Sequence, residues 1–253
     1  WLILLVLALF RHSQKIHWKT ALALMLVGIT NALTAILYSE ALQIIPASIG
    51  IVLMFQFAWM GIVIEAIAER KFPSKEKLCA IPFLFIGTVL ASGVFEGEIN
   101  FSLWGCVLAL LAAFANALFI YCNGRVATHV STLTRALWIT SGVLVFIAFV
   151  YPPQFLINGA LVKGLAWYGL ILALIAVVIP NVLIAKGTPK VGGGLASILI
   201  SSELPMTIIF AAIVLKEPVS LLQWIGIIAI LIGICTPYFL AVKTKHMFNK
   251  QVH

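Results

Sequence analysis

Glu203 stands at the thirteenth position of the 25-residue apolar run 191–215, and no other carboxyl group lies as deep in an apolar segment. If that run crosses a bilayer, a charge at its centre costs roughly 2.5–3.5 kcal/mol, and less once it is protonated or paired. A carboxyl group so placed can take up a proton on one side and release it on the other, or neutralise an arriving amine. Two residues on, Pro205 withholds a backbone donor and weakens the helix locally, as a discontinuous binding helix requires. The competing reading is a permanently neutral Glu203 bonded to a neighbouring helix through Ser202 or Thr207.

Four amides, Asn31, Gln56, Asn116 and Asn181, also fall inside apolar runs. Each either lines a cavity or serves as interhelical hydrogen-bond glue. Asn181 follows Pro180, so a local break is expected there, with the amide available to satisfy the freed backbone. Gly193, in the Gly192-Gly193-Gly194 sequence that opens the run, is a hinge, a close-approach point, or the end of a loop. Glu65 lies near the end of its run and is expected to reach water or pair with Arg70, while Glu69 and Glu217 read as structural charges at span ends.

Other chemistry finds little support. Cys79, Cys106, Cys122 and Cys235 all fall in apolar runs without metal-ligand spacing, and the histidines (12, 17, 129, 246 and 253) all lie in polar segments. There is no Asp, no phosphate-binding Gly-Lys-Ser/Thr loop, and no Ser/His or Cys/His pair at depth. The expectation is therefore no metal, no cofactor and no enzymatic activity.

The elements that must carry these residues follow from composition. The chain has 253 residues, 63% apolar and 9% charged, with mean hydropathy +1.15. A water-soluble domain of this length cannot hide so much apolar surface, whereas lipid removes the need to. Apolar runs predict helical spans at 1–10, 20–40, 46–68, 78–95, 101–122, 136–152, 165–185, 191–215 and 220–242. Alternating strands of about ten residues, as a barrel needs, are absent from the pattern. The first run is too short to cross and opens on Trp1, which predicts a missing helix start and one whole span before it.

Strict alternation of these spans places fourteen of the sixteen Lys and Arg on one side, with only Lys163 and Lys216 on the other. That asymmetry marks the basic side, with the C-terminal tail, as cytoplasmic. It also accounts for the net charge of +8 without a nucleic-acid partner. The loop Phe95-Glu96-Gly97-Glu98 is then external, and Trp18, Trp104, Trp167 and Trp224 fall near span ends, where an interfacial belt would put them.

The chain also repeats itself. Ala47-Ser48-Ile49-Gly50-Ile51 matches Ala196-Ser197-Ile198-Leu199-Ile200 at four of five positions. Each segment continues to an acid (Glu69, Glu217), a turn containing Pro (Pro73, Pro218), and a further span ending at Gly87 or Gly233. The period covers five spans, an odd number, so the second copy enters the membrane from the opposite side. Inverted repeats of this kind bind their ligand near the midplane, where the halves meet.

These paired segments resemble the two halves of the drug/metabolite transporter superfamily, EamA type. The second half carries the clearer likeness, in Ser202-Glu203-Leu204-Pro205, Leu215-Lys216-Glu217-Pro218 and Gln223-Trp224-Ile225-Gly226. In the first half Gln56 and Phe57 stand where Pro205 stands in the second. The resemblance implies an all-α integral membrane bundle with about nine spans visible and ten in the intact protein. Residues 1–95 would form the first five-helix repeat, lacking its first helix, and 101–253 the second. It further implies a secondary transporter, an exporter of small metabolites such as amino acids or amines, in the cell membrane and acting by alternating access. Its partners would be a small-molecule substrate and the lipid bilayer, as a monomer or weak homodimer. A channel, a non-transporting partner subunit and a membrane-embedded enzyme remain the alternatives.

Overall fold

Every apolar run becomes helix in a computed structural model of the chain, which describes residues 1–10, 16–95, 102–152, 166–216 and 219–251. The helices are α1 (Leu2–Phe10), α2 (Trp18–Leu42), α3 (Ala47–Met54), α4 (Phe57–Glu69), α5 (Lys75–Ala91) and α6 (Leu103–Arg125). They continue as α7 (Thr132–Val150), α8 (Ala166–Leu172), α9 (Ile179–Val191), α10 (Gly193–Ile200), α11 (Glu203–Phe210) and α12 (Leu221–Gln251). Two π-helical stretches, Ala173–Val178 and Ala211–Leu215, follow α8 and α11. Among the described residues, six helical stretches are long and apolar enough to cross a membrane, and Leu221–Pro237 is a shorter apolar helix. Trp18, Trp104, Trp167 and Trp224 all sit in first helical turns with large exposed surfaces, as interfacial anchors do. Arg11, His12, Lys15, Glu96, Gly97, Glu98, Lys163, Glu217, Pro218 and His253 lie outside the described residues.

Proline sets several of the irregularities. Pro180 has no N–H for the carbonyl four residues back, and the ladder shifts to π-helix just before it, over Ala173–Val178. Pro189 leaves the Ala185 carbonyl without its helical donor in the same way. Pro205 falls in the first turn of α11, where a missing N–H does least harm.

The chain forms two compact units, one of residues Trp1–Leu33 and Phe119–Gly192, the other of Thr34–Leu118 and Gly193–His253. In the first, α2 and α7 cross with their backbones nearly touching. A methyl on Gly28 would overlap the Ile139 carbonyl, and one on Gly142 would overlap the Met25 carbonyl. Small residues permit this approach, on which association in lipid depends. Gly142→Val should therefore destabilise the protein by about 1–3 kcal/mol through overpacking, read as a lower thermal midpoint in detergent, whereas Gly169→Ala, which meets nothing nearby, should not.

In the second unit α5 and α12 make the most extensive contact, again through glycine. Gly87 lies against Ile230 and Gly226, Gly226 against Ala91, and Gly233 against Leu84. Residue numbers rise along one helix as they fall along the other, so the two are antiparallel. The contacts are also reciprocal: Gly87 and Gly233 are the repeat-equivalent glycines, and each meets the aliphatic residue (Ile230, Leu84) three positions before the other. Ser74 and Ser220, equivalent by the same alignment, flank the N-terminal ends of these helices. Around this pair Ala58, Ile62, Ala80, Leu84, Ile198 and Leu204 form a continuous core.

Candidate functional site

The second unit contains two interrupted helices, and each interruption has a local chemical cause. Between α10 and α11 the ladder tightens: the Ser201 N–H is shared between the Ser197 and Ile198 carbonyls, and the Ser202 N–H donates to Leu199, three residues back. Pro205 offers no N–H to the Ser201 carbonyl, four residues back. Upstream, Ser201 Oγ donates to the Ser197 carbonyl at 3.0 Å and Ser197 Oγ to the Gly193 carbonyl at 3.0 Å. Such back-bonding bends helices. Gly192, at φ 84°, takes a backbone conformation that glycine adopts without strain, and it separates α9 from the buried start of α10 at Gly193.

Between α3 and α4 the break falls at Phe55–Gln56, and an amide does what proline does in the other half. The Gln56 backbone N–H donates to the Leu53 carbonyl at 3.2 Å, one residue short of the α-helical partner. Its side-chain Nε2 donates instead to the Val52 carbonyl at 2.7 Å. Trp59 Nε1 completes the arrangement by donating to Gln56 Oε1 at 2.8 Å. Both ends of this amide are thus engaged within its own segment. Beside it lies an open apolar groove of about 470 Å³ lined by Val52, Trp59, Ile81, Phe85 and Leu110.

Glu203 is the first residue of α11 and is exposed, as are Met206, Thr207 and Phe210 on the same helix. Thr207 Oγ1 donates to the Glu203 backbone carbonyl at 2.8 Å, which leaves the carboxyl group itself uncommitted to Thr207. Tyr38 lies within electrostatic reach of that carboxyl group. Leu204 and Pro205, on the opposite side of the turn, are buried. Glu203 thus stands on an open face of a helix whose other face is packed.

The remaining residues singled out in the sequence distribute over both units. Asn116 is half-buried on α6 in the second unit, while Asn31 on α2 and Asn181 on α9, next to Pro180, are half-buried in the first. Glu65 departs from expectation: its ion-pair partner is Lys77 at the start of α5, not Arg70. Arg70 caps α4 in the left-handed conformation, at φ 52°, and forms no ion pair with Glu65. A carboxylate one turn before a helix end is met by whichever base the following turn brings back over it, here the first turn of α5.

Sequence reasoning missed Arg135. It was counted among the basic residues at a cytoplasmic end, yet its side chain is fully enclosed in the first unit, 2% exposed. Its guanidinium donates to the Ala185 carbonyl at 2.6 Å, to Asn123 Oδ1 at 3.0 Å and to the Asn123 carbonyl. The Ala185 carbonyl is the one that Pro189 leaves free, and Asn123 lies in the last turn of α6, where carbonyls lack helical partners. Arg135 therefore joins α6, α7 and α9 through backbone oxygens. The available signal was its position one turn inside the helix that Ser131 caps.

The profile of the EamA-like transporter family matches residues 103–238, over half of the sequence, and the chain belongs to that family. The family falls within the drug/metabolite transporter superfamily, so the chain is a multi-pass membrane protein of transporter type. No curated protein matches it. A solved structure described only as the crystal structure of a protein is 15% identical, with TM-score 0.69 over 89% of this chain and 88% of the other. At that identity the likeness concerns the fold alone.

Proposed function

We propose that this chain is a secondary transporter, working as an exporter of small amine-bearing or amphipathic metabolites by alternating access between two inverted five-helix repeats. The reading takes residues 1–95 and 101–253 as the two repeats. The observation that carries it is the pair of interrupted helices at repeat-equivalent segments, one broken at Gln56 and the other immediately before Glu203. Discontinuous helices of this kind hold ligands at the midplane of inverted-repeat transporters.

Further support comes from the antiparallel, reciprocal packing of α5 on α12. Equivalent helices that run antiparallel are related by an axis across them, which in a membrane lies in its plane. An axis along the membrane normal would leave them parallel. Each compact unit also draws on both halves of the sequence, as interlocked repeats do.

In this reading Glu203 receives the proton or the cationic group, and the open apolar groove beside Gln56 and Trp59 suits an uncharged portion of an amphipathic molecule. Asn116 is a further polar contact in the same unit, and Pro205 and Gly193 are points of flexure there. The basic side, with the C-terminal tail, is cytoplasmic.

Purified protein in liposomes, loaded with a panel of amines and amino acids and given a pH gradient of either sign, tests the activity. Gradient-dependent flux is expected; flux that saturates at no concentration would indicate a channel, and no flux of any compound would favour a partner subunit. The topology is tested separately by cysteines placed at Lys75 and Lys245. Both should be shielded from an impermeant thiol reagent in intact cells, and external labelling of either would overturn the orientation.

A further inference from the structure

The two ends of the repeat pair in the second unit are not packed alike. At the end carrying Arg70, Lys71, Lys75 and Lys77, α4 lies along α10 with no room to spare. Gly61 faces Ser197 and the Gly193 carbonyl, and Gly194 faces Ile62 and the Glu65 carboxyl group. Glu65, 8% exposed, is bonded there to Lys77. Three small residues and one ion pair thus close this end, joining α4, α5 and α10.

Repeat symmetry calls for the same closure between α3 and α11 at the other end, and α3 and α11 do not pack together to any comparable extent. Matching the breaks (Phe55–Gln56 with Ser201–Ser202) and the left-handed caps that follow (Arg70 with Lys216) sets Phe57, Gly61 and Glu65 against Glu203, Thr207 and Ala211. The first set is covered, with Phe57 2% and Glu65 8% exposed. Of the second set, Glu203 and Thr207 are exposed and Ala211 is half-buried. Glu203 and Thr207 share an open stripe with Phe210 and Val214, at helical spacing. A carboxyl group facing lipid is penalised, so the stripe is better accounted for as the wall of an aqueous vestibule. The residues at the mirror end also differ in kind. Ala211 stands in place of Glu65, and Gln223 in place of Lys77, where it bonds with Ser220 at the start of α12.

From this broken symmetry we infer that Glu65 and Lys77, seated on Gly194, are a latch that closes the basic end of the pathway while the Glu203 face is open to the opposite side. They are positioning residues: they touch no substrate and act by holding α4 and α5 against α10. Opening the basic end requires the ion pair to part, while closing the opposite end brings α3 and α11 together without an equivalent ion pair. The inference rests on the inverted-repeat reading, but its test needs no substrate.

The experiment uses the full chain with its four cysteines replaced and a single cysteine at Thr207, in vesicles of known and opposite orientation, probed with an impermeant maleimide. Labelling is expected from the side opposite the basic end and slow from the basic side. Lys77→Gln and Glu65→Gln should each raise basic-side labelling on the order of tenfold, as a shift of the two-state population. The charge swap Glu65→Lys with Lys77→Glu should restore the parent pattern, which a merely structural loss would not do. Gly194→Ala, whose methyl would meet the Glu65 carboxyl group, should open the basic side without removing a charge, and serves if the single charge variants do not fold. Equal labelling from both sides in the parent, or no change in any of the variants, would overturn the latch. One-sided labelling in a protein that moves no tested compound would support the latch and count against the transport reading.

Discussion

Glu203→Gln should lower gradient-driven flux about tenfold or more, the consequence of losing about 1.4 kcal/mol of differential interaction. The substitution keeps size and hydrogen-bonding capacity, and the open face of α11 has no packing to disturb, so the thermal midpoint in detergent should stay close to the parent's. The pattern of loss separates two roles. If the carboxyl group carries the proton, the mutant still binds substrate but its flux no longer responds to a pH gradient. If it neutralises an amine, binding of charged substrates falls while neutral analogues are retained. Unchanged flux, binding and pH response together would make Glu203 structural. Gln56→Leu provides the contrast, because its amide is committed to Val52 and Trp59. Its main effect should be on the α3–α4 break and on stability.

The second large effect is expected at Arg135. Arg135→Met roughly preserves length but strands the Ala185 and Asn123 carbonyls in a dry site, at about 1–3 kcal/mol for each unsatisfied group. A combined loss of about 3 kcal/mol would lower the thermal midpoint by about 6–12 °C for a chain of this size. Arg135→Lys should recover only part of it, since an ammonium cannot span acceptors on two helices as a planar guanidinium does. Thermal unfolding of the three proteins in one detergent decides the matter; a Met variant as stable as the parent would remove the structural role assigned to Arg135.

The two residues show how sequence and tertiary structure divide the information. The apolar runs, their lengths and the depth of Glu203 are properties of the linear chain, because lipid imposes its thickness on each helix separately. The helical class and the family were therefore legible in residues such as Ser202-Glu203-Leu204-Pro205. The break beside Glu203 was legible as well, since Pro205 acts on a carbonyl only four residues away. What Gln56 does was not, because an amide in an apolar run has no fixed partner. Only the fold shows it bonded to its own turn and producing the interruption that proline produces in the other half. The enclosure of Arg135 was not legible for a related reason. A base near a helix end ordinarily reaches water, and its enclosure depends on a carbonyl freed by Pro189, more than fifty residues along the chain. Likewise Glu65 has several bases within reach in the sequence, and the return of α5 over α4 selects Lys77. Properties set by neighbours in the chain were written in the sequence; those set by partners from other helices depended on which surfaces glycine and proline allowed to meet.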